Sequence, residues 1–191
     1  MKALDSSAKT TGQAKNLAEA GYGALGVYLR SDRCTKAMID ELHGTGLKVW
    51  TVYERGYPTS DDYFTAAKGV SDGTVAARFA KSVGQPPKSL IYAAVDYNAK
   101  TGTIQTEISG YMESFGAAIA QEGYLPGVYG SGLTCRILIQ MGLAKAGWLA
   151  QSTSFSEYKV YKPKAAIVQL ARINNNWDGD EISDPAIAGL W

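Results

Sequence analysis

"FAKSVGQPPKSLIYAAVDYN" (residues 79–98) decides the fold. It opens on the end of an apolar-periodic helix and breaks at Gly84, where a helix C-terminus wants a left-handed residue. It then crosses a short proline gap and enters a β-favouring run from Ser89 to Val95. That run is apolar on consecutive residues rather than alternate ones. Continuous apolarity is the mark of a strand covered on both faces, as in a parallel sheet. The strand ends on Asp96, with Asn98 two residues further on.

The same grammar recurs on either side. "LAEAGYGALGVYLR" (17–30), "ELHGTGLKVWTVYER" (41–55) and "IAQEGYLPGVYGSG" (119–132) each pass from a helical pattern through Gly21, Gly46 or Gly123 into a strand. The predicted strands are one ending at Asp5, then 25–30, 47–54, 89–96, 126–130, 147–151, 166–170 and a short piece near 178–182. Helices are predicted at 12–20, 35–43, 73–83, 103–121 and 134–141. The longest helix shows Ile104, Ile108, Phe115 and Ile119 on one face. Residues 55–73 read as the longest loop, a possible substrate wall carrying Tyr57, Tyr63 and Phe64. Alternating strand and helix predict a parallel sheet with right-handed crossovers. The expected fold is α/β, a short (β/α)8 TIM-like barrel forming a single domain over 1–191, with helices trimmed below the usual barrel length.

Composition narrows the function class. Of 191 residues, 46% are hydrophobic and 19% charged, and the formal net charge is +1. There is no basic block, so a nucleic-acid partner is not expected. No apolar run approaches the length of a membrane span, and the N-terminus lacks the apolar stretch of a signal peptide. The expectation is a monomer made in the cytoplasm, without contact to membrane. Cys34 and Cys135 have neither metal nor redox spacing and read as two separate thiols, with a disulfide as the alternative. His43 is the single histidine and falls at a helix end on the far face. A Ser-His-Asp triad or a zinc site is therefore not expected. "GVYGSG" (127–132) lacks the lysine of a P-loop and the order of a dinucleotide fingerprint. No metal or cofactor is implied.

The strand ends carry the chemistry. They are Asp5, Arg30, Glu54, Asp96 with Asn98, Tyr129, Gln151, Gln169 and the Asp178/Asp180 pair. In a barrel these ends converge on one face, where active sites of this fold lie. Carboxylates crowded there oppose one another's ionisation, which can keep one protonated near neutral pH. A protonated carboxyl beside an ionised one is what glycoside hydrolysis requires. Tyr28, Tyr53, Tyr92, Tyr97, Tyr129 and Trp148 lie near the same ends and could stack on sugar rings or simply fill the barrel. Tyr129, Gln151 and Tyr97 are the favoured substrate contacts.

"ALDSS" (3–7), "GVYLR" (26–30), "VYE" (52–54), "IYAAVDYN" (91–98), "GVYGS" (127–131) and "WLAQ" (148–151), followed by a late Asp-rich segment, occur in that order. In these motifs the chain resembles the glycoside hydrolase family 25-like domain, most closely its domain-of-unknown-function 1906 branch. The resemblance implies a barrel N-acetylmuramidase acting on peptidoglycan glycan strands, and a phage-type endolysin released to the cell wall. It matches Asp5, Asp96 and one of Asp178 or Asp180 to family aspartates. It also exposes a departure: Asn98 stands where active relatives carry the glutamate that protonates the leaving group, and a carboxamide cannot donate that proton.

Glu54 is the natural replacement, because it ends the strand beside Asp96. The expected catalytic set is Glu54 as general acid, Asp96 stabilising the developing cation or orienting the substrate's N-acetyl group, and Asp5 and Asp180 tuning both. Arg30, Tyr97, Asn98, Tyr129, Gln151 and Asp178 would bind substrate. The competing assignments are an ion pair of Glu54 with Arg30 or Arg55 and a structural acceptor role for Asp96. At the level of the whole protein they are a glycan-binding barrel without catalysis, favoured by Asn98, and a phosphodiesterase, disfavoured by the missing metal ligands.

Overall fold

The computed structural model describes residues 1–191. Eight strands close into one barrel in chain order. They are β1 (Lys2–Ser6), β2 (Ala24–Tyr28), β3 (Lys48–Tyr53), β4 (Leu90–Ala94), β5 (Leu125–Gly130), β6 (Gly147–Leu149), β7 (Ile167–Asn174) and β8 (Trp177–Ile182). The helices are α1 (Ala14–Glu19), α2 (Lys36–Gly44), α3 (Ala66–Ser82), α4 (Thr101–Thr103), α5 (Ser109–Ala120), α6 (Gly132–Gln140) and α7 (Tyr158–Tyr161). The four glycines read as helix stops all adopt positive φ, at +80°, +85°, +83° and +85° for Gly21, Gly46, Gly84 and Gly123. No helix is long and apolar enough to cross a membrane.

Three expectations need correction. The sheet is not parallel throughout: β8 runs antiparallel to both β7 and β1. The cause is local. No helix follows β7; the chain turns at Asn175 and Asn176 straight into β8, and a two-residue hairpin can only pair strands antiparallel. The 55–73 segment is also not loop to its end. Thr65 caps α3, its hydroxyl accepting from the Lys68 N–H at 3.2 Å, so helix begins at Ala66 rather than 73. Finally, the predicted 103–121 helix contains one π turn, Ile104–Ile108, between α4 and α5. There the Ser109 hydroxyl donates to the Ile104 carbonyl at 2.5 Å, competing with the regular ladder.

The apolar residues separate into an interior and two outer layers. α1 and α2 pack on β1–β3 through Leu4, Leu17, Leu25, Met38, Ile39 and Leu42. α3, α5 and α6 cover the remaining parallel strands through Ile91, Ala93, Phe115, Ile119 and Leu138. Cys34 belongs to the first layer and Cys135 to the second; both thiols are free and buried. Inside, Trp50, Tyr92 and Trp148 are fully buried and meet edge to face, Trp148 lying 5.5 Å from Trp50 and 6.1 Å from Tyr92 between ring centroids. Small partners make room for them. A Cβ on Gly26 would lie 2.5 Å from the Trp50 ring, and one on Gly127 would lie 2.7 Å from the Tyr92 ring.

The far end is closed by the C-terminus. Trp191 exchanges backbone hydrogen bonds with Val49 at 3.0 and 2.8 Å, and the Tyr92 hydroxyl donates to the Ala188 carbonyl at 3.0 Å. His43 packs edge-on against Trp191 at this end, 5.0 Å between centroids. The end where β1–β7 terminate is left for chemistry.

Candidate active site

Side chains on alternate strand positions face the barrel interior. From β1 this brings in Ala3 and Asp5, from β2 Gly26 and Tyr28, and from β4 Tyr92 and Ala94, with Asp96 just beyond. Glu54 continues the Trp50–Val52 face of β3. The antiparallel register of β8 sets Asp178 opposite Asp5 and Asp180 opposite Ala3. Both aspartates therefore share the inward face, Asp178 at the rim and Asp180 deeper.

The deep part is a closed hydrogen-bonded wall. Asp5 is fully buried and accepts from Gln169 Nε2 at 2.9 Å and the Tyr28 hydroxyl at 3.3 Å. Gln169 Oε1 in turn accepts from the Tyr129 hydroxyl at 2.8 Å and the Gln151 N–H at 3.4 Å. Trp148 Nε1 donates to Asp180 Oδ1 at 2.8 Å. The other Asp180 oxygen is buried with no conventional donor. Two ionised carboxylates in this dry space would repel strongly, and the arrangement is satisfied when Asp180 keeps its proton and donates it to Asp5. Burial, then the charge of Asp5, holds the Asp180 carboxyl well above the usual range. Asp5 is pushed up to about 6, chiefly by burial and against the hydrogen bonds from Gln169, Asp180 and Tyr28.

The rim differs. Glu54 is half-buried and Asp96 exposed. No hydrogen bond or ion pair within the protein engages either carboxylate; Arg30 pairs instead with Asp32, Nε to Oδ1 at 3.4 Å. The ion-pair assignment for Glu54 is thus not what the structure holds. Partial burial, then the charges of Asp96 and Asp5, pushes Glu54 up to about 7, with Arg30 opposing. The Asp96 carboxyl, open at the surface but flanked by the walls of the mouth, is raised by the desolvation those walls impose. Its backbone N–H donates to the Pro58 carbonyl at 2.9 Å, which ties the β3–α3 loop to the rim. At the tip of that loop Tyr57 is 85% exposed, with a φ of 61° that costs a side-chain-bearing residue energy.

The remaining expected contacts are placed unevenly. Tyr129 is buried within the wall, and Gln151 lies exposed above it. Asp178 is held by Arg172, Nε to Oδ1 at 3.1 Å. Tyr97 points away from the mouth: its ring stacks on Phe64 at 6.0 Å and its hydroxyl donates to Asp61 at 2.6 Å. Its odd parity relative to Asp96 carries that information in the sequence. Asn98 Oδ1 accepts the Ser156 N–H at 2.8 Å, so the carboxamide oxygen joins two loops. Two further functional residues hold Asp5, Tyr28 on the neighbouring β2 and Gln169 two strands away on β7, and inward parity is the sequence signal for both. Buried Asp72, not singled out in the sequence, accepts from Tyr53, Tyr63 and Tyr111 and pairs with Lys68, fixing α3 and the loop before it to the barrel.

Comparison with known proteins gives a consistent picture. A family model described as "Rv2525c-like, glycoside hydrolase-like domain" matches residues 15–187. Two Bacillus subtilis proteins are similar in sequence: uncharacterized protein FadG, 27% identical over 91% of this chain, and uncharacterized protein YbfG, 29% identical over 93%. The chain spans 30% and 25% of their respective lengths. Among solved structures, the Tat-secreted protein Rv2525c of Mycobacterium tuberculosis, in complex with L-tartrate, superposes with a TM-score of 0.83 at 22% identity, covering 100% of this chain and 98% of that one. The catalytic domain of endolysin ply40 from Listeria monocytogenes bacteriophage P40 gives a TM-score of 0.63 at 15% identity, covering 98% and 95%. The modular autolysin LytC of Streptococcus pneumoniae, in complex with a synthetic peptidoglycan ligand, gives 0.63 at 14% identity, covering 94% and 46%.

Proposed function

We propose, for a chain that belongs to the Rv2525c-like, glycoside hydrolase-like family, that it hydrolyses a glycosidic bond in the glycan strand of bacterial peptidoglycan. The observation that carries this reading is Glu54: a rim carboxyl with no partner of its own, raised to about 7, beside the unpartnered Asp96. At neutral pH such a group is substantially protonated and can donate to the glycosidic oxygen as the C–O bond breaks. Asp96 stabilises the positive charge developing at the anomeric carbon, and water supplies the hydroxyl that ends there while its other proton restores the Glu54 carboxyl. Asp5 and Asp180 act from below as positioning groups, keeping negative charge under the mouth. Tyr57 offers an exposed ring at the edge beside Asp96 on which a pyranose can stack.

The finer assignment is an N-acetylmuramidase of lysozyme type, working as a monomer in the manner of a phage or prophage endolysin. The folds of the ply40 and LytC domains support it. Peptidoglycan lies outside the cytoplasm, so the chain would meet it after release to the wall. A second reading, a glycan-binding barrel without turnover, is favoured by Asn98, whose carboxamide oxygen serves the loop contact to Ser156. Digestion of purified peptidoglycan by wild type and Glu54→Gln, followed by mass spectrometry and reducing-end labelling, separates the two. New muramic-acid reducing ends from wild type alone support hydrolysis through Glu54. Binding to the glycan without cleavage by either protein supports the second reading.

A further inference from the structure

Beside the mouth, between the β2–α2 and β3–α3 loops, lies a small cavity of about 90 Å³ lined by Leu29, Arg30, Ser31, Asp32, Arg55 and Phe79. Pairing of β2 with β3 sets its walls, bringing the residues that follow Tyr28 and Tyr53 side by side. Leu29 and Phe79 form an apolar floor. The rim is cationic. Arg30 approaches Asp32 with Nε at 3.4 Å, and the same carboxylate is engaged more closely by Arg33 at 2.9 Å. One acid is thus shared by two guanidinium groups. Arg55 has no ion pair, while its backbone is fixed by the Tyr63 hydroxyl donating to its carbonyl at 2.6 Å. The terminal nitrogens of Arg30 make no hydrogen bond within the protein, and the Arg55 fork meets no carboxylate, its side-chain neighbour being the Tyr53 hydroxyl.

A fork of N–H donors above an apolar floor is the geometry that recognises a carboxylate in two-point fashion. We infer that Arg30 and Arg55 form an oxyanion subsite that takes a carboxylate carried by the glycan substrate. The name of the ligand rests on the proposed hydrolysis of peptidoglycan; the site's affinity for a small oxyanion does not. The subsite adjoins the acid: the register that pairs Tyr28 with Val52 sets Arg30 beside Glu54 two residues further on, and the Arg30 charge opposes the rise of the Glu54 carboxyl. A substrate carboxylate seated there would spend the Arg30 charge on itself and relieve its pull on the Glu54 proton. Two carboxylates of peptidoglycan fit this chemistry. One is the free lactyl group of muramic acid on strands stripped of peptide; the other is borne by the stem peptide.

The test has two layers. Malonate is titrated against the folded chain by isothermal calorimetry, with arginine Nε resonances followed by NMR, for wild type, Arg55→Gln, Arg55→Lys and Arg30→Gln. Wild type should bind, the Gln variants should lose about ten- to a hundredfold in affinity, and Arg55→Lys should fall between. Equal binding by all four overturns the subsite whether or not the chain cleaves glycan. Binding abolished by the Gln variants without any glycan cleavage leaves the subsite standing and removes the hydrolysis reading. In the second layer the affinity ratio is measured for a muramic-acid-containing tetrasaccharide, with and without stem peptide, over a neutral N-acetylglucosamine tetramer. Arg55→Gln should collapse that ratio, and the arm in which it collapses identifies the carboxylate. A ratio equal in variant and wild type overturns the substrate assignment. Circular dichroism at each step verifies that the variants are folded.

Discussion

The β7–β8–β1 wall and the β3–β4 rim carry the same kind of side chain and treat it in opposite ways. In the wall, Asp5 and Asp180 are buried and bound by Gln169, Tyr28, Trp148 and each other. At the rim, Glu54 and Asp96 are partly open and bound by nothing. A buried carboxyl whose acceptor sites are filled has little left to offer a substrate; it shapes the field and the floor. An unpartnered carboxyl at a mouth keeps its lone pairs or its proton for whatever enters. Burial alone raises the proton affinity of both sets, so the pKa direction does not separate framework from reagent. Hydrogen-bond occupancy does.

Variants on the two sides should therefore fail differently. The largest effect is expected at the rim: Glu54→Gln should cut turnover by about 10²–10⁴-fold and leave the denaturant midpoint unchanged. Wild-type activity should fall as pH rises through about 7, where Glu54 loses its proton, and the variant's residual activity should lack that limb. If Glu54→Gln keeps full activity, the rim is not the reagent side. In the wall, Gln169→Leu strips Asp5 and the Tyr129 hydroxyl of partners and should cost about 1–3 kcal/mol in urea unfolding.

Asp180→Asn sharpens the contrast through pH. The wall carboxyls have raised folded-state pKa values, so the folded chain holds protons that the unfolded chain has released. Their contribution is complete below the unfolded value of about 4 and is lost as pH rises, for Asp5 through about 6. An asparagine at 180 imitates the protonated acid, accepting from Trp148 and donating to Asp5. Urea midpoints at acidic and mildly alkaline pH should decline less steeply in the variant, and above pH 6 it should match or exceed wild type. A slope as steep as wild type would mean that the pair does not share a proton.

Much of the barrel is legible in the sequence because each helix–glycine–strand junction repeats one local rule, and local rules survive into the fold. The place of β8 was legible, near 178–182, but its antiparallel direction was not, because the grammar stops after Ile167. The run of asparagines before Trp177 is a hairpin signal, and no helical pattern separates β7 from β8. Strand-end chemistry was legible in the same way: Asp5, Glu54, Asp96 and the late aspartates do converge. Which of them are free was not, since Gln169 and Trp148 reach Asp5 and Asp180 across the barrel from residues more than thirty positions away or at the other end of the chain. Tyr97 follows its own parity and not the expected substrate contact: one residue past Asp96, it faces the helices.

Asn98 gives the smallest expected effect, and it tests whether the rim has one acid or the remnant of two. Its Oδ1 holds the Ser156 N–H, joining the loop after β4 to the loop before α7 across 58 residues of sequence. A neutral side chain-to-backbone bond at an exposed site contributes about 1 kcal/mol. Asn98→Ala should lower the urea midpoint by that amount and speed hydrogen exchange at the Ser156 amide, with a loss of turnover far below that of Glu54→Gln. The reason is geometric: this carboxamide oxygen is occupied by a backbone N–H, so the position serves loop placement, and under the proposed hydrolysis the proton-donating role would fall to the neighbouring strand. A turnover loss as deep as that of Glu54→Gln would reverse this assignment and make Asn98 a direct contact of the reacting sugar.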